Sequence, residues 1–180
     1  MDPRPSFLSQ ENKEKKLDII RKKVEKITDE LGKPVEPGIK ETVVMFNAFG
    51  LPTTGSCEGH IDSHKEGYSP EMAPWIEILP QEPEQEDWKN DNKLREKVRE
   101  ENKKHLSKIV DLLNEFYKNQ EVPDDIKLVI DHMDYGFKVQ SSGLEGLKDP
   151  NDKGQQERAI EYKREMEKFT AFLKEKFLKL

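Results

Sequence analysis

One short stretch of this chain gathers the side chains that are most able to do chemistry. Residues 47–64 read Asn-Ala-Phe-Gly-Leu-Pro-Thr-Thr-Gly-Ser-Cys-Glu-Gly-His-Ile-Asp-Ser-His, and they contain the only cysteine of the sequence and two of its four histidines. A thiol, an imidazole and a carboxylate can serve as nucleophile, base or acid. Their density beside glycines and hydroxyls predicts a small polar binding or catalytic pocket around residues 53–60.

The spacing within this pocket segment predicts which side chains share a face. In an extended chain alternate side chains point the same way, so Glu58 and His60 would lie on one face and Cys57 on the other. Glu58 and His60 would then form an acid–base pair. Gly59 removes bulk and lets a ligand or another backbone approach closely. The predicted catalytic residues are Cys57, Glu58 and His60, and the predicted ligand-binding residues of the segment are Thr53, Thr54 and Ser56.

Three other interpretations of Cys57 follow from the same residues. It could be a small buried side chain at a bend, since cysteine is among the most buried residue types. As a nucleophile it needs a histidine within hydrogen-bond reach, and with His60 on the other face His132 would serve. As a zinc ligand it has the spacing Cys57-x2-His60-x3-His64. Zinc binding requires the chain to leave the extended form after Cys57, and beyond Gly59 the sequence shows no turn chemistry. We therefore expect no bound metal.

A second group of polar residues follows a predicted strand. Residues 126–131 alternate between Ile126, Leu128 and Ile130 on one face and Lys127, Val129 and Asp131 on the other, which is the period of a strand. Asp131 and His132 lie at its end, where sheet folds expose functional residues, so both are predicted to bind ligand. His132 also continues the apolar face of the strand, which indicates a core histidine as the alternative.

The distribution of charge limits the partners of the predicted pocket. The 180-residue chain has a net charge of −6, and residues 58–100 hold twelve acidic against six basic residues. An acidic surface beside the pocket disfavours nucleic-acid backbones.

No run of about 18 apolar residues exists, so we expect no membrane span. The single cysteine and the polar N-terminal residues, which lack the apolar segment of a signal peptide, predict a cytoplasmic location.

Hydrophobic periodicity predicts the elements that position these residues. Apolar positions three and four apart predict helices over residues 9–31, 39–49 and 91–119 and from residue 155 onward. Extended segments are predicted at 53–60, 75–79, 126–131 and 137–141. The order ααββαββα predicts a single α+β domain of about four antiparallel strands, in two hairpin-like pairs, with about four helices mainly on one face. We further predict a flexible tail over residues 1–8, an acidic linker over 81–89 and a long C-terminal helix over 155–180.

The central motif resembles the signature of a known family. Residues 53–61, Thr-Thr-Gly-Ser-Cys-Glu-Gly-His-Ile, are similar to the TTSSCSGRI signature of the TYW3 family. Gly55 and Glu58 stand where that signature has serines, and His60 stands where it has arginine. The TYW3 family methylates a tricyclic guanine in tRNA with S-adenosylmethionine, so the resemblance implies a related fold, site position and cofactor. The stretch is also similar to a Thr-x2-Ser-Cys-x-Gly-His pattern in small bacterial and phage proteins.

Three functions are compatible with these observations. The leading prediction is a soluble domain whose pocket binds or modifies a nucleotide-like or other small polar ligand, with the cofactor unassigned. The first alternative is an S-adenosylmethionine-dependent RNA-modifying enzyme like the TYW3 family. The second is a protein-interaction module, in which the charged first and last helices recruit a partner or a second copy of the chain.

Overall fold

The order of helices and strands is seen in a computed structural model, which describes residues 10–29, 32–61, 72–80, 83 and 88–180. The helices in these ranges are α1 (Gln10–Val24), α2 (Pro37–Ala48), α3 (Asn92–Tyr117) and α4 (Lys153–Lys179), and the strands are β1 (Thr53–Cys57), β2 (Trp75–Ile78), β3 (Leu128–His132) and β4 (Phe137–Ser141). Short 3₁₀ turns lie at Trp88–Asn90 and Leu144–Gly146. The order is ααββαββα, as the periodicity predicted.

Aspartate caps determine where the two longest of these helices begin. The carboxylate of Asp91 accepts hydrogen bonds from the backbone N–H groups of Lys93 at 2.8 Å and Leu94 at 3.2 Å, at the start of α3. Asp152 accepts one from the N–H of Gln155 at 2.9 Å, at the start of α4. Each carboxylate satisfies donors that the first turn of a helix leaves without an intrahelical acceptor. Both helices therefore begin close to the predicted positions.

The strands of the described chain form one antiparallel sheet in the order β1-β2-β4-β3. β1 pairs with β2, and β3 pairs with β4, which are the two hairpin-like pairs that the sequence predicted. β2 and β4 join the pairs, with Ile76 opposite Val139. Helices and an antiparallel sheet together confirm the predicted α+β fold class.

The helices pack on one face of this sheet. Every second residue of the two central strands is fully buried on that face, namely Ile76, Ile78, Phe137 and Val139. Phe169 of α4 lies in the same core, and its ring centre is 6.1 Å from that of Phe46 in α2 and 5.2 Å from that of Phe116 in α3. Burial of one such aromatic side chain stabilises the fold by about 1.5–3 kcal/mol. The aromatic contacts thus hold three helices together over the sheet.

The first helix is shorter than predicted. It ends at Val24, whereas the apolar stripe predicted a helix to residue 31. Thr28 instead pairs with Pro34 in an isolated antiparallel bridge. Gly32 has a φ of +75°, a left-handed conformation that glycine adopts at little cost. Ile27, an apolar residue within the range predicted as helix, is 45% exposed. The connection between α1 and α2 is therefore non-helical, and it forms one wall of the cavity described below.

Some predictions lie outside the described residues. They are the flexible tail at 1–8, most of the acidic linker at 81–89 and the ligand role considered for His64. At the end of that linker Trp88 begins a 3₁₀ turn and is buried, with its ring centre 4.9 Å from that of Tyr135. Trp88 is therefore an internal anchor. Of the helices that the structure describes, none combines the length and apolar character needed to cross a lipid bilayer.

Candidate functional site

β1 carries most of the central motif, and hydrogen bonds attach it to its neighbours. The side-chain amide of Asn47, near the end of α2, donates to the Thr53 hydroxyl at 2.8 Å and to the carbonyl oxygen of Val43 at 2.8 Å. The Thr54 hydroxyl donates to the Glu77 carboxylate on β2 at 3.0 Å. Both predicted ligand-binding threonines thus have protein partners, and Thr53 joins β1 to α2. Their oxygens keep acceptor capacity for a ligand.

The extended conformation ends at Cys57, and the chain turns at Gly59. Gly59 has a φ of +80°, and a Cβ at this position would lie 2.8 Å from the carbonyl oxygen of Met72. Only glycine fits both conditions without strain. The Gly59 N–H donates to Cys57 Sγ at 3.4 Å. The alternation predicted for residues 53–60 was therefore wrong beyond Cys57, and the turn brings His60 back towards the thiol.

Glu36, which we did not identify from the sequence, completes a cluster with Cys57 and His60. Glu36 is the N-cap residue of α2, directly before Pro37. Its Oε1 lies 2.7 Å from His60 Nε2, and its Oε2 accepts a hydrogen bond from the Glu58 N–H at 2.8 Å. One donor atom from each of Glu36, Cys57 and His60 lies within 4.8 Å of the other two. The side chains of His60 and Glu36 are 26% and 34% exposed, so solvent and small solutes can reach them.

Glu58 points away from this cluster. Its Oε2 accepts a hydrogen bond from the backbone N–H of Gly38 at 2.6 Å, in the first turn of α2. A Cβ on Gly38 would lie 2.6 Å from the same oxygen, so the glycine makes room for the carboxylate. A negative charge at a helix N-terminus is stabilising. The structure therefore does not form the predicted Glu58–His60 acid–base pair, because Glu58 caps α2 and Glu36 takes its place beside His60.

A cavity of about 460 Å³ opens beside the cluster, between β1 and the connection from α1 to α2. All three cluster residues line it. The predicted ligand-binding residues Thr53, Thr54 and Ser56 line it as well. Trp75 of β2 adds an aromatic side chain, and Asp29 and Lys33 add one charge of each sign. The structure thus gathers Thr53–Cys57 and His60 of the motif around one cavity, whose lining also includes apolar side chains such as Ile27 and Val35.

Asp131 and His132 do not join this site. Both lie at the end of β3 and are exposed, so the prediction of a core histidine at position 132 was also wrong. The strand order places β2 and β4 between β1 and β3. Three strand spacings of about 4.8 Å separate the two edge strands by roughly 14 Å. His132 therefore cannot be the base for Cys57. Asp131 and His132 lie at the opposite edge of the sheet from the motif pocket, and the prediction that they bind ligand stays a prediction.

The chemistry open to the cluster follows from its donor types. If the neutral imidazole of His60 donates from Nε2 to Glu36, Nδ1 is left as an acceptor. The carboxylate then holds the ring in one orientation, as a base beside a thiol requires. The same sulfur, nitrogen and oxygen atoms are also the usual ligands of borderline-soft metal ions.

The chain matches no protein-family model, no curated protein and no solved structure. The resemblance of residues 53–61 to the TYW3 signature therefore stays a prediction. What the site does must be inferred from its own geometry.

Proposed function

We propose that the cavity beside β1 binds a small polar ligand and that Glu36, Cys57 and His60 act on it. The observation that carries this proposal is the convergence of the three side chains, from two separate segments, at the wall of one cavity. The volume of about 460 Å³ is in the range of small-molecule sites. Side chains from the α1–α2 connection and from β1 would contact opposite sides of the ligand.

The lining favours a flat polar ring such as a nucleobase. Gly55 lets the Trp75 ring lie close against the backbone of β1, because a Cβ there would lie 3.1 Å from the ring, and the Lys138 ammonium lies over the ring at 4.1 Å from its centre. Trp75 is half-buried, and the part of its ring that lines the cavity offers an apolar contact to a planar ligand. Ser56 supplies a hydroxyl that can donate and accept. Lys33 is opposed by Asp29, so the cavity does not have the excess of positive charge that binds a phosphate backbone. A nucleoside-like ligand therefore fits better than a nucleic-acid strand.

The experiment that tests this proposal is a titration of the isotope-labelled full chain with guanosine and with adenosine, followed by amide NMR spectra. We expect saturable shifts confined to residues 53–60 and the α1–α2 connection. The His60→Ala variant should lose the response while keeping the fold. His132→Ala is the matched control, because it removes the same ring from the opposite edge of the sheet. The absence of shifts with either nucleoside at millimolar concentration, or equal shifts in the His60→Ala variant, would contradict the proposal.

The resemblance to the TYW3 family makes S-adenosylmethionine an informative second probe. We expect no heat of binding at millimolar cofactor, because the sequence has no glycine-rich strand-to-helix turn of the dinucleotide type. Heat that is lost in a double variant, Ser56→Ala with His60→Ala, would favour the methyltransferase alternative over the proposal above.

A further inference from the structure

The geometry points to a second property of the same site: Glu36, Cys57 and His60 form a three-ligand site for a divalent metal of the zinc type. The three donor atoms lie within 4.8 Å of one another. Around a tetrahedral zinc ion, with bonds of about 2.0–2.3 Å, neighbouring donor atoms lie roughly 3.3–3.6 Å apart. The 2.7 Å contact between His60 and Glu36 would open by about 0.6 Å, a movement that side-chain rotation can supply.

Backbone N–H groups beside the cluster hydrogen-bond to two of the three proposed metal ligands. The Gly59 N–H donates to Cys57 Sγ, and the Glu58 N–H donates to Glu36 Oε2. These backbone hydrogen bonds fix the positions of the sulfur and of the carboxylate, as contacts outside the coordination shell do for metal ligands. Because Oε2 is engaged, Oε1 is the oxygen that faces His60. The two backbone hydrogen bonds therefore orient two of the three ligands, Cys57 and Glu36.

The conformation of the chain meets the condition that the sequence analysis set for a metal site. No metal was expected, because the residues after Gly59 show no turn chemistry that would take the chain out of the extended form. The chain instead turns at Gly59, and Glu36 supplies a third ligand from α2. The hydrogen bond from Gly38 to Glu58 holds the two segments together in the folded chain. The ligands thus converge without a further change of fold.

Three protein ligands leave a fourth coordination position, and the cavity lies beside it. Structural zinc sites use four protein ligands, whereas catalytic sites keep one position for water or substrate. The cysteine and histidine donors favour zinc over magnesium or calcium, which prefer sets of oxygen ligands. A metal here would polarise a ligand oxygen or lower the pKa of a bound water. This role of the metal rests on the proposed function, since it requires a ligand in the cavity.

The test is titration of the chelator-treated full chain with Zn²⁺ and, separately, with Co²⁺. We expect one equivalent of either ion and a cobalt–thiolate charge-transfer band in the near ultraviolet, which requires a sulfur ligand. We expect Zn²⁺ affinity to fall by at least about 100-fold in each of the variants Glu36→Gln, Cys57→Ser and His60→Ala. This is the largest loss that is usual when a residue that only hydrogen-bonds to a metal ligand is replaced, and a ligand itself should matter at least as much. His132→Ala, the matched control, should bind Zn²⁺ like the wild type.

The outcomes separate this inference from the proposed function. Failure to bind one equivalent of Zn²⁺, a cobalt spectrum without the thiolate band, or unchanged affinity in Glu36→Gln would overturn the metal site. The cobalt spectrum of the wild type shows whether a sulfur atom binds the metal, even if the Cys57→Ser variant does not fold. Nucleoside binding that depends on His60 but not on metal would leave the proposed function standing alone. If the protein binds one equivalent of metal but neither the metal-free nor the zinc-loaded protein binds a nucleoside, only the metal site is supported.

Discussion

Replacement of Glu58 by alanine tests whether this residue is structural or catalytic. The variant removes the carboxylate that accepts the Gly38 N–H at 2.6 Å, and the backbone hydrogen bond from Glu58 to Glu36 remains. Loss of a side-chain cap costs about 0.5–2 kcal/mol, and loss of a charge at a helix N-terminus about 0.3–1 kcal/mol, as overlapping contributions. Gly38 is exposed, so water can replace the lost acceptor. We therefore expect a decrease of about 1 kcal/mol in the free energy of unfolding.

This decrease is measurable by urea and thermal denaturation. For a chain of this size about 1 kcal/mol corresponds to a fall in Tm of roughly 2–4 °C, with the urea m-value unchanged. Glu58→Gln keeps an acceptor oxygen and loses only the charge, so it should cost a few tenths of a kcal/mol, roughly the low end of the helix-dipole effect. Nucleoside binding should persist in both variants. Unchanged stability together with lost ligand binding in Glu58→Ala would refute this reasoning and restore the acid–base role predicted from the sequence.

Two further predictions concern the turn at Gly59 and the contact between α1 and α2. Gly59→Ala should destabilise the fold by more than about 2 kcal/mol in urea denaturation, because the left-handed backbone alone costs about 1–2 kcal/mol and the new Cβ meets Met72. Wild-type stability in that variant would contradict the observed turn. Burial raises the pKa of Glu41, but the hydrogen bonds and charges of Arg21 and Lys174 together outweigh burial and hold that pKa below its usual 4.5. The pair therefore contributes stability above pH 4.5 that is lost as the pH falls through the lower folded pKa. In Glu41→Gln the free energy of unfolding should therefore fall less between neutral and acid pH than in the wild type. Since the pair is half-exposed, the variant should cost less than about 1 kcal/mol at neutral pH. The same decrease of the free energy of unfolding with falling pH as in the wild type would contradict this prediction.

Local sequence patterns predicted most of the secondary structure. The apolar stripe predicted α3, since it depends only on residues a few positions apart in the chain. The alternation of residues 126–131 predicted β3 for the same reason. The pattern was not sufficient at the first helix: its apolar stripe continues past Val24, but the chain leaves the helix there and forms a local bridge between Thr28 and Pro34.

The candidate site was only partly predictable. Cys57 and His60 were identified from their residue types, and the structure places both at the cavity. Their relation to each other was not predictable from alternation, because the φ of Gly59 reverses the direction of the chain. Nothing local connects Glu36 to them. Its position depends on how the N-terminus of α2 packs beside the end of β1.

The sequence by itself determined the fold class, the order of the elements and the location of the reactive residues, because periodicity, caps and residue types are local properties. Tertiary structure alone decided which side chains meet. The strand order inserts β2 and β4 between β1 and β3, which separates His132 from Cys57. The packing of α2 against β1 places Glu36, and not the predicted Glu58, beside His60, while Glu58 caps the helix. The physical reason is that such contacts join residues distant in the chain, and their geometry is set by the packing of whole elements.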